Sequence, residues 1–201
     1  MSDEARWDEI YRNCFPSELP WYDLPFLKYV SGWLIHLDKR DLLVAPGCGV
    51  GDTVNTLYKK GFRNLVGTDI SSEAIKKAKK GFPDLEFICI ETEKLNGLYK
   101  SANVMDWLNL HQISPDNLPA YLKSLSQISK SLLLVFFYDP LRPPVQKSII
   151  KGSIYNHSPQ MVTELLLPLK KVEESSFDIG INKRFGKEHH FKAIAQIYSI
   201  K

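Results

Sequence analysis

The stretch Leu42-Leu43-Val44-Ala45-Pro46-Gly47-Cys48-Gly49-Val50-Gly51-Asp52-Thr53 constrains this chain more than any other. The apolar run Leu42 to Ala45, bounded by turn residues, reads as a strand covered on both faces. Three glycines then alternate with small residues, and Val54, Leu57 and Tyr58 follow at helical spacing. A strand that turns on glycine into a helix N-terminus lets a ligand lie against backbone N–H groups, with no Cβ in the way. A second hydrophobic strand, Asn64-Leu65-Val66-Gly67-Thr68, ends in Asp69, at about the twenty-residue spacing of nucleotide-binding folds. A carboxylate there is placed to accept both hydroxyls of a ribose. The pair points to a nucleoside-bearing cofactor.

The rest of the chain repeats the alternation. Strand 42–46 leads to helix 52–60, stopped at Gly61, and strand 64–68 leads to helix 73–80, with Ser71 and Ser72 as caps. A third strand covers 85–90 and runs into Glu91-Thr92-Glu93, and a fourth covers 102–107. Leu118, Tyr121, Leu122, Leu125 and Ile128 share one face of a helix over 116–130, followed by a fifth strand, 132–138. Strands alternating with helices, without hairpin signals, predict a parallel sheet with right-handed crossovers. After Pro140, residues 141–157 read as a loop or lid, and Ser158-Pro159 opens a helix over 160–167. Two strands, 172–181 and 191–200, close the chain as an antiparallel pair.

Residues 1–40 carry Trp7, Tyr11, Phe15, Trp21, Tyr22, Phe26, Tyr29 and Trp33. Trp7, Ile10, Tyr11 and Cys14 keep helical spacing, as do Phe26, Tyr29, Val30 and Trp33, while Pro16, Pro20 and Pro25 break the chain between them. Tyr29 and Trp33 read as cover for one side of the sheet. Trp7, Trp21 and Tyr22 read equally as cover or as an aromatic lid over a cationic cofactor.

A length of 201 residues suits one domain, and 44% hydrophobic with 24% charged residues is ordinary for a soluble globular chain. A net charge of +3 gives no support to a dedicated nucleic-acid or membrane surface. Cys14, Cys48 and Cys89 form no Cys-x-x-Cys, which fits reduced thiols in a cytoplasmic protein. The polar start of the chain is no secretory signal, and the run Leu132 to Tyr138 is far short of the ~20 residues of a membrane span. His189-His190 sit at adjacent strand positions, which face opposite ways, so no metal site is expected. Lys170-Lys171 and Lys183-Arg184 with Lys187 read as solvated edges.

The strand order, the Gly-Cys-Gly turn and Asp69 resemble class I S-adenosylmethionine-dependent methyltransferases over roughly residues 40–200. Pro46 before the glycine turn, with Ala45 where many such enzymes carry an acid, is similar to the thiopurine methyltransferase superfamily and its thiol and halide methyltransferases. Asp69-Ile70-Ser71-Ser72-Glu73-Ala74-Ile75, Ser114-Pro115-Asp116, Tyr138-Asp139-Pro140 and Gly186-Lys187-Glu188 fit the same pattern. So do Arg6-Trp7-Asp8-Glu9 and Pro20-Trp21-Tyr22-Asp23. Two features depart from it: Trp107 follows Asp106 where an Arg is usual, and Gly152-Ser153-Ile154-Tyr155 replaces a Gly-Pro-Pro-aromatic segment.

The resemblance implies a single Rossmann-like α/β domain over 1–201, with residues 1–40 as a lid and 41–201 as core. It implies S-adenosylmethionine as cofactor, leaving S-adenosylhomocysteine. Pro46, Gly47, Cys48 and Gly49 would pass the methionine portion, Asp69 would hold the ribose and Ile70 the adenine face. Glu91, Thr92 and Glu93 would meet the adenine edge. Asp106 and Trp107 would lie by the amino group and methyl, with Trp21 above, and Cys48 is a small turn residue, not a nucleophile. Trp7, Tyr22, His111 and Tyr138 are the substrate candidates, and Asp106 and His111 the candidates for catalysis. Methyl transfer from a sulfonium needs no triad, and the sequence offers none. The expected acceptor is a small molecule, a thiol or a halide or chalcogen species; the alternative is a protein or an RNA. No nucleic-acid or membrane partner is expected, and the chain is expected to be a monomer or weak dimer.

Overall fold

The computed structural model describes residues 2–22, 24–148, 152–181 and 189–199. Its centre is β1 (Leu43–Pro46), all four residues buried, between β2 (Leu65–Asp69) and β4 (Ala102–Trp107). β3 (Glu86–Cys89) extends one side, and β5 (Ser129–Phe137) the other, all parallel. The last strands, β8 (Lys170–Ile181) and β9 (His189–Ser199), complete the order β3-β2-β1-β4-β5-β9-β8, with β9 antiparallel to both neighbours. Five parallel strands plus a terminal antiparallel pair is the arrangement expected from the alternation. Gly186-Lys187-Glu188, Lys183, Arg184 and Asp23 lie outside the described residues.

The period of two along each strand divides the core between the sheet's faces. Leu43, Ala45, Leu133, Val135 and Phe137 join Phe26, Val30, Trp33, Val54 and Leu57 on one face. Val44, Leu132, Leu134 and Phe136 join Leu118, Leu122, Leu125 and Val162 on the other. Phe26, Val30 and Trp33 thus cover the sheet through α2 (Leu27–Leu34), with Tyr29 packed against the same cluster. α3 (Asp52–Lys59) and α4 (Ser72–Gly81) start and stop where caps and glycine allow: Ser71 accepts from the Ala74 N–H at 3.1 Å, and Gly61 has φ 97°. α5 (Leu118–Ile128) is shorter than expected, because Ser129 and Lys130 already belong to β5.

Residues 141–157 are not simply a loop. β6 (Val145–Lys147) pairs antiparallel with β7 (Ser153–Tyr155), a hairpin whose three-residue strands are too short to show a period. α6 (Pro159–Leu165) follows, with Ser158 accepting from the Met161 N–H at 3.2 Å. α1 (Asp3–Asn13) lies on α4, and Ile10, Tyr11, Leu19, Val50 and Ala74 form a separate buried patch there.

Candidate functional site

Strand order reverses between β1 and β4, and open sheets of this kind bind ligands beyond the strand ends at such a point. A cavity of about 370 Å³ opens there, within the range of small-ligand sites. Its floor is the glycine bend. Gly47, Gly49 and Gly51 have φ of 65°, 54° and 85°, the left-handed region that glycine enters without strain. A Cβ on Gly47 would stand 2.3 Å from Asn109 Cγ, and one on Gly49 would stand 2.8 Å from the Tyr11 hydroxyl. The bare backbone is therefore a requirement of the packing around the bend.

Asp69 faces this bend from the end of β2. Its Oδ2 accepts from the Gly49 N–H at 2.9 Å and its Oδ1 from the Ser71 N–H at 2.9 Å. Burial pushes its pKa up to about 6, against the pull of those two donors. Each oxygen keeps a second lone pair for a diol. Ile70, Glu91, Thr92 and Glu93 line the same end of the cavity, as does Cys48, whose thiol is pushed well above its usual pKa by burial. That thiol is no nucleophile at neutral pH.

The roof is α1 and the turn after it. Trp7, Tyr11 and Trp21 line the cavity and meet edge-on or tilted at centroid distances of 5.8 to 6.4 Å. Asp8 ties α1 down: Oδ1 accepts from the Ser71 hydroxyl at 2.6 Å and the Glu73 N–H at 3.2 Å, and Oδ2 accepts from the Ser72 hydroxyl at 3.0 Å. Lys77 on α4 donates to the carbonyls of Tyr11 and Cys14. Tyr22 packs against the patch beneath the roof, off the cavity wall.

Beyond β4 and β5 the wall becomes aromatic. Trp107 stacks over Tyr29 at 6.2 Å, His111 lies against Phe137 at 4.2 Å, and Phe137 stacks on Phe191 at 4.7 Å. Phe191 reaches this place because β9 runs antiparallel to β5, pairing Ala193 with Phe137. His111 is 3% exposed and its Nδ1 has no hydrogen-bond partner. Burial pushes its pKa down to about 3, with His157 nearby adding to the shift. His157 itself donates Nε2–H to the Ile113 carbonyl at 2.8 Å.

A titration follows from that neutral ring. The unfolded chain takes up the His111 proton below about 6.5, whereas the folded chain resists it until about 3. His111 thus contributes stability that is complete above pH 6.5 and is lost as pH falls toward 3. Relative to wild type, His111→Gln should gain about 1.4 kcal/mol for each pH unit below 6.5. Urea midpoints at pH 7.5, 6 and 5 check this, and a difference constant with pH would mean the ring is charged in the fold.

Asp106 does not face the cavity, which corrects its expected place beside the cofactor. It is fully buried; Oδ1 accepts from the N–H groups of Asn109 (2.9 Å) and Leu110 (3.2 Å), and Oδ2 from the Tyr121 hydroxyl at 2.7 Å. Neighbouring strand residues point to opposite faces, so Trp107 takes the cavity side and Asp106 the side packed by α5. Tyr138 also lies off the wall. Asn109, Phe137 and Phe191 also line the cavity, and of these Phe137, at a strand end, is the one with a local signal in the sequence. Among the described residues no helix is long and apolar enough to cross a membrane, and no cluster of His, Cys, Asp or Glu could hold a metal.

Residues 44–131 match a family model described as a methyltransferase domain. A comparison with curated proteins finds no match. Among solved structures, the chain is similar to an S-adenosylmethionine-dependent methyltransferase from Anabaena variabilis, at 13% identity and TM-score 0.78, covering 98% of this chain and 93% of that one. It is also similar to a Burkholderia thailandensis 1,6-didemethyltoxoflavin N1-methyltransferase with bound substrate and S-adenosylhomocysteine (16% identity, TM-score 0.67, 100% and 92% covered). A third is described for converting a disulfide bond into a thioacetal group during echinomycin biosynthesis (14% identity, TM-score 0.74, 98% and 91% covered). Residues 44–131 thus match a methyltransferase domain, and the chain has the Rossmann-like fold that these S-adenosylmethionine-dependent methyltransferases share, with a mostly parallel sheet and a terminal antiparallel pair.

Proposed function

We propose that the protein transfers a methyl group from S-adenosylmethionine to a small thiol, in the manner of the thiopurine methyltransferase superfamily. The glycine bend, the diol acceptor Asp69 and the aromatic roof fit an adenosyl sulfonium: bare backbone for close approach, a carboxylate for the ribose, ring faces for positive charge. Bound there, the cofactor supplies an electrophilic methyl on a good leaving group.

The observation that carries the choice of acceptor is the far end of the cavity. Trp107, His111, Phe137, Ile154 and Phe191 enclose it, and no Lys or Arg stands among the described wall residues. No side-chain cation there adds to the sulfonium's charge to hold an anion, which favours a neutral thiol over a halide. An apolar chamber also excludes water and holds a soft nucleophile in line with the methyl. A neutral His111 adds no positive charge beside the sulfonium. A bound cofactor would supply the methyl, and the neutral His111 ring would stand beside the thiol as an uncharged hydrogen-bonding partner.

Labelled-methyl assays should show transfer to small aryl and alkyl thiols and none to halide, and His111→Gln should lower turnover of an alkyl thiol by no more than about 10-fold. Label found only in protein or RNA of a cell extract would overturn the small-acceptor reading.

A further inference from the structure

Asn109 lies over the centre of the bend. Its side chain occupies the space that a Cβ on Gly47 would take, with Oδ1 2.6 Å from that point. The orientation of its amide follows from the bonds beneath it. The Tyr121 hydroxyl has one proton, which goes to Asp106 Oδ2 at 2.7 Å. Toward Asn109 the same hydroxyl is therefore an acceptor, and Asn109 Nδ2 donates to it at 2.8 Å. Asp106 holds the other end of the turn through the N–H groups of Asn109 and Leu110. The amide nitrogen is thus committed to Tyr121, and the amide oxygen is left presented at the bend, in the cavity wall.

We propose that Asn109 Oδ1 accepts a hydrogen bond from the α-ammonium of the cofactor's methionine tail, and that Tyr121 and Asp106 act as positioning residues that keep this oxygen turned toward it. This rests on the cofactor reading above. With the ribose at Asp69, at the end of β2, the amino-acid half would cross the bend toward the end of β4, where Asn109 stands. An ammonium desolvated there needs acceptors, and a fixed amide oxygen supplies one without the charge of a carboxylate. Asp106, expected at this point, acts instead from behind.

Two ligands separate recognition of the tail from mere structure: S-adenosylhomocysteine carries the ammonium, and 5′-methylthioadenosine lacks the amino-acid portion. By calorimetry, Asn109→Leu should bind S-adenosylhomocysteine about 10-fold more weakly than wild type and methylthioadenosine equally well. Tyr121→Phe, which frees the amide to rotate, should show the same split with a smaller loss, and Asn109→Ser serves if the larger variant does not fold. Equal losses for both ligands, or no loss for either, would overturn the proposal. If wild type binds neither compound, it is the cofactor reading that fails.

Discussion

Asp69→Ala should abolish useful cofactor binding. The substitution removes an acceptor for two ribose hydroxyls; at about 1.5–3 kcal/mol for each bond to a charged group, affinity should fall by about 10² to 10⁴-fold. It also strips the N–H groups of Gly49 and Ser71 of their acceptor, so the bend loses its anchor to β2. Asp69→Asn keeps the shape and part of the acceptor capacity, and should bind about 10-fold more weakly than wild type. The pH dependence carries its own sign. With the carboxyl pKa raised to about 6, wild-type affinity should decline as pH is lowered through 6, because protonation removes acceptor capacity. Calorimetry with S-adenosylhomocysteine at pH 7.5 and 5.5 reads both effects. Undiminished heat from the Ala variant would mean the ribose is held elsewhere.

Gly51→Val should be the most destabilising change in the bend. The residue has φ 85°, and its Cβ would stand 2.6 and 2.8 Å from the Phe87 ring and 3.2 Å from Ala78 Cβ. Phe87 is buried against the sheet, so the ring has nowhere to retreat. The left-handed conformation costs about 1–2 kcal/mol for a residue with a Cβ, and overpacking about 1–3 more. A total of about 2–5 kcal/mol should lower Tm by roughly 4–20 °C in a chain of this size. The contrasting control is Gly81→Ala at the end of α4, where a Cβ meets nothing within 4 Å and Tm should hold or rise slightly. A melting temperature for Gly51→Val equal to wild type would mean the bend reshapes freely.

Much of this architecture was legible along the chain because its signals are local. The buried run at β1, the glycines after it, Ser71 and Ser158 as caps and Gly61 as a stop all act within a few residues of where they are read. The helix–strand alternation led to the parallel sheet with its closing antiparallel pair, while the spatial order of the strands came only from the structure. The hairpin of β6 and β7 escaped because three residues make no period.

The site divides along the same line. By itself the sequence determined that a bare bend and an acid at the next strand's tip stand together, since adjacent parallel strands end side by side. Tertiary structure alone decided which way Asp106 and Trp107 face, because packing of α5 beneath β4 sets that parity and a strand end read in isolation does not. It also decided that α1 roofs the cavity, through Asp8 and residues 63 to 65 positions away, and that Phe191 meets Phe137 across an antiparallel register. Periodicity encodes the element a residue belongs to; the direction and partners of its side chain follow only once distant elements pack against it.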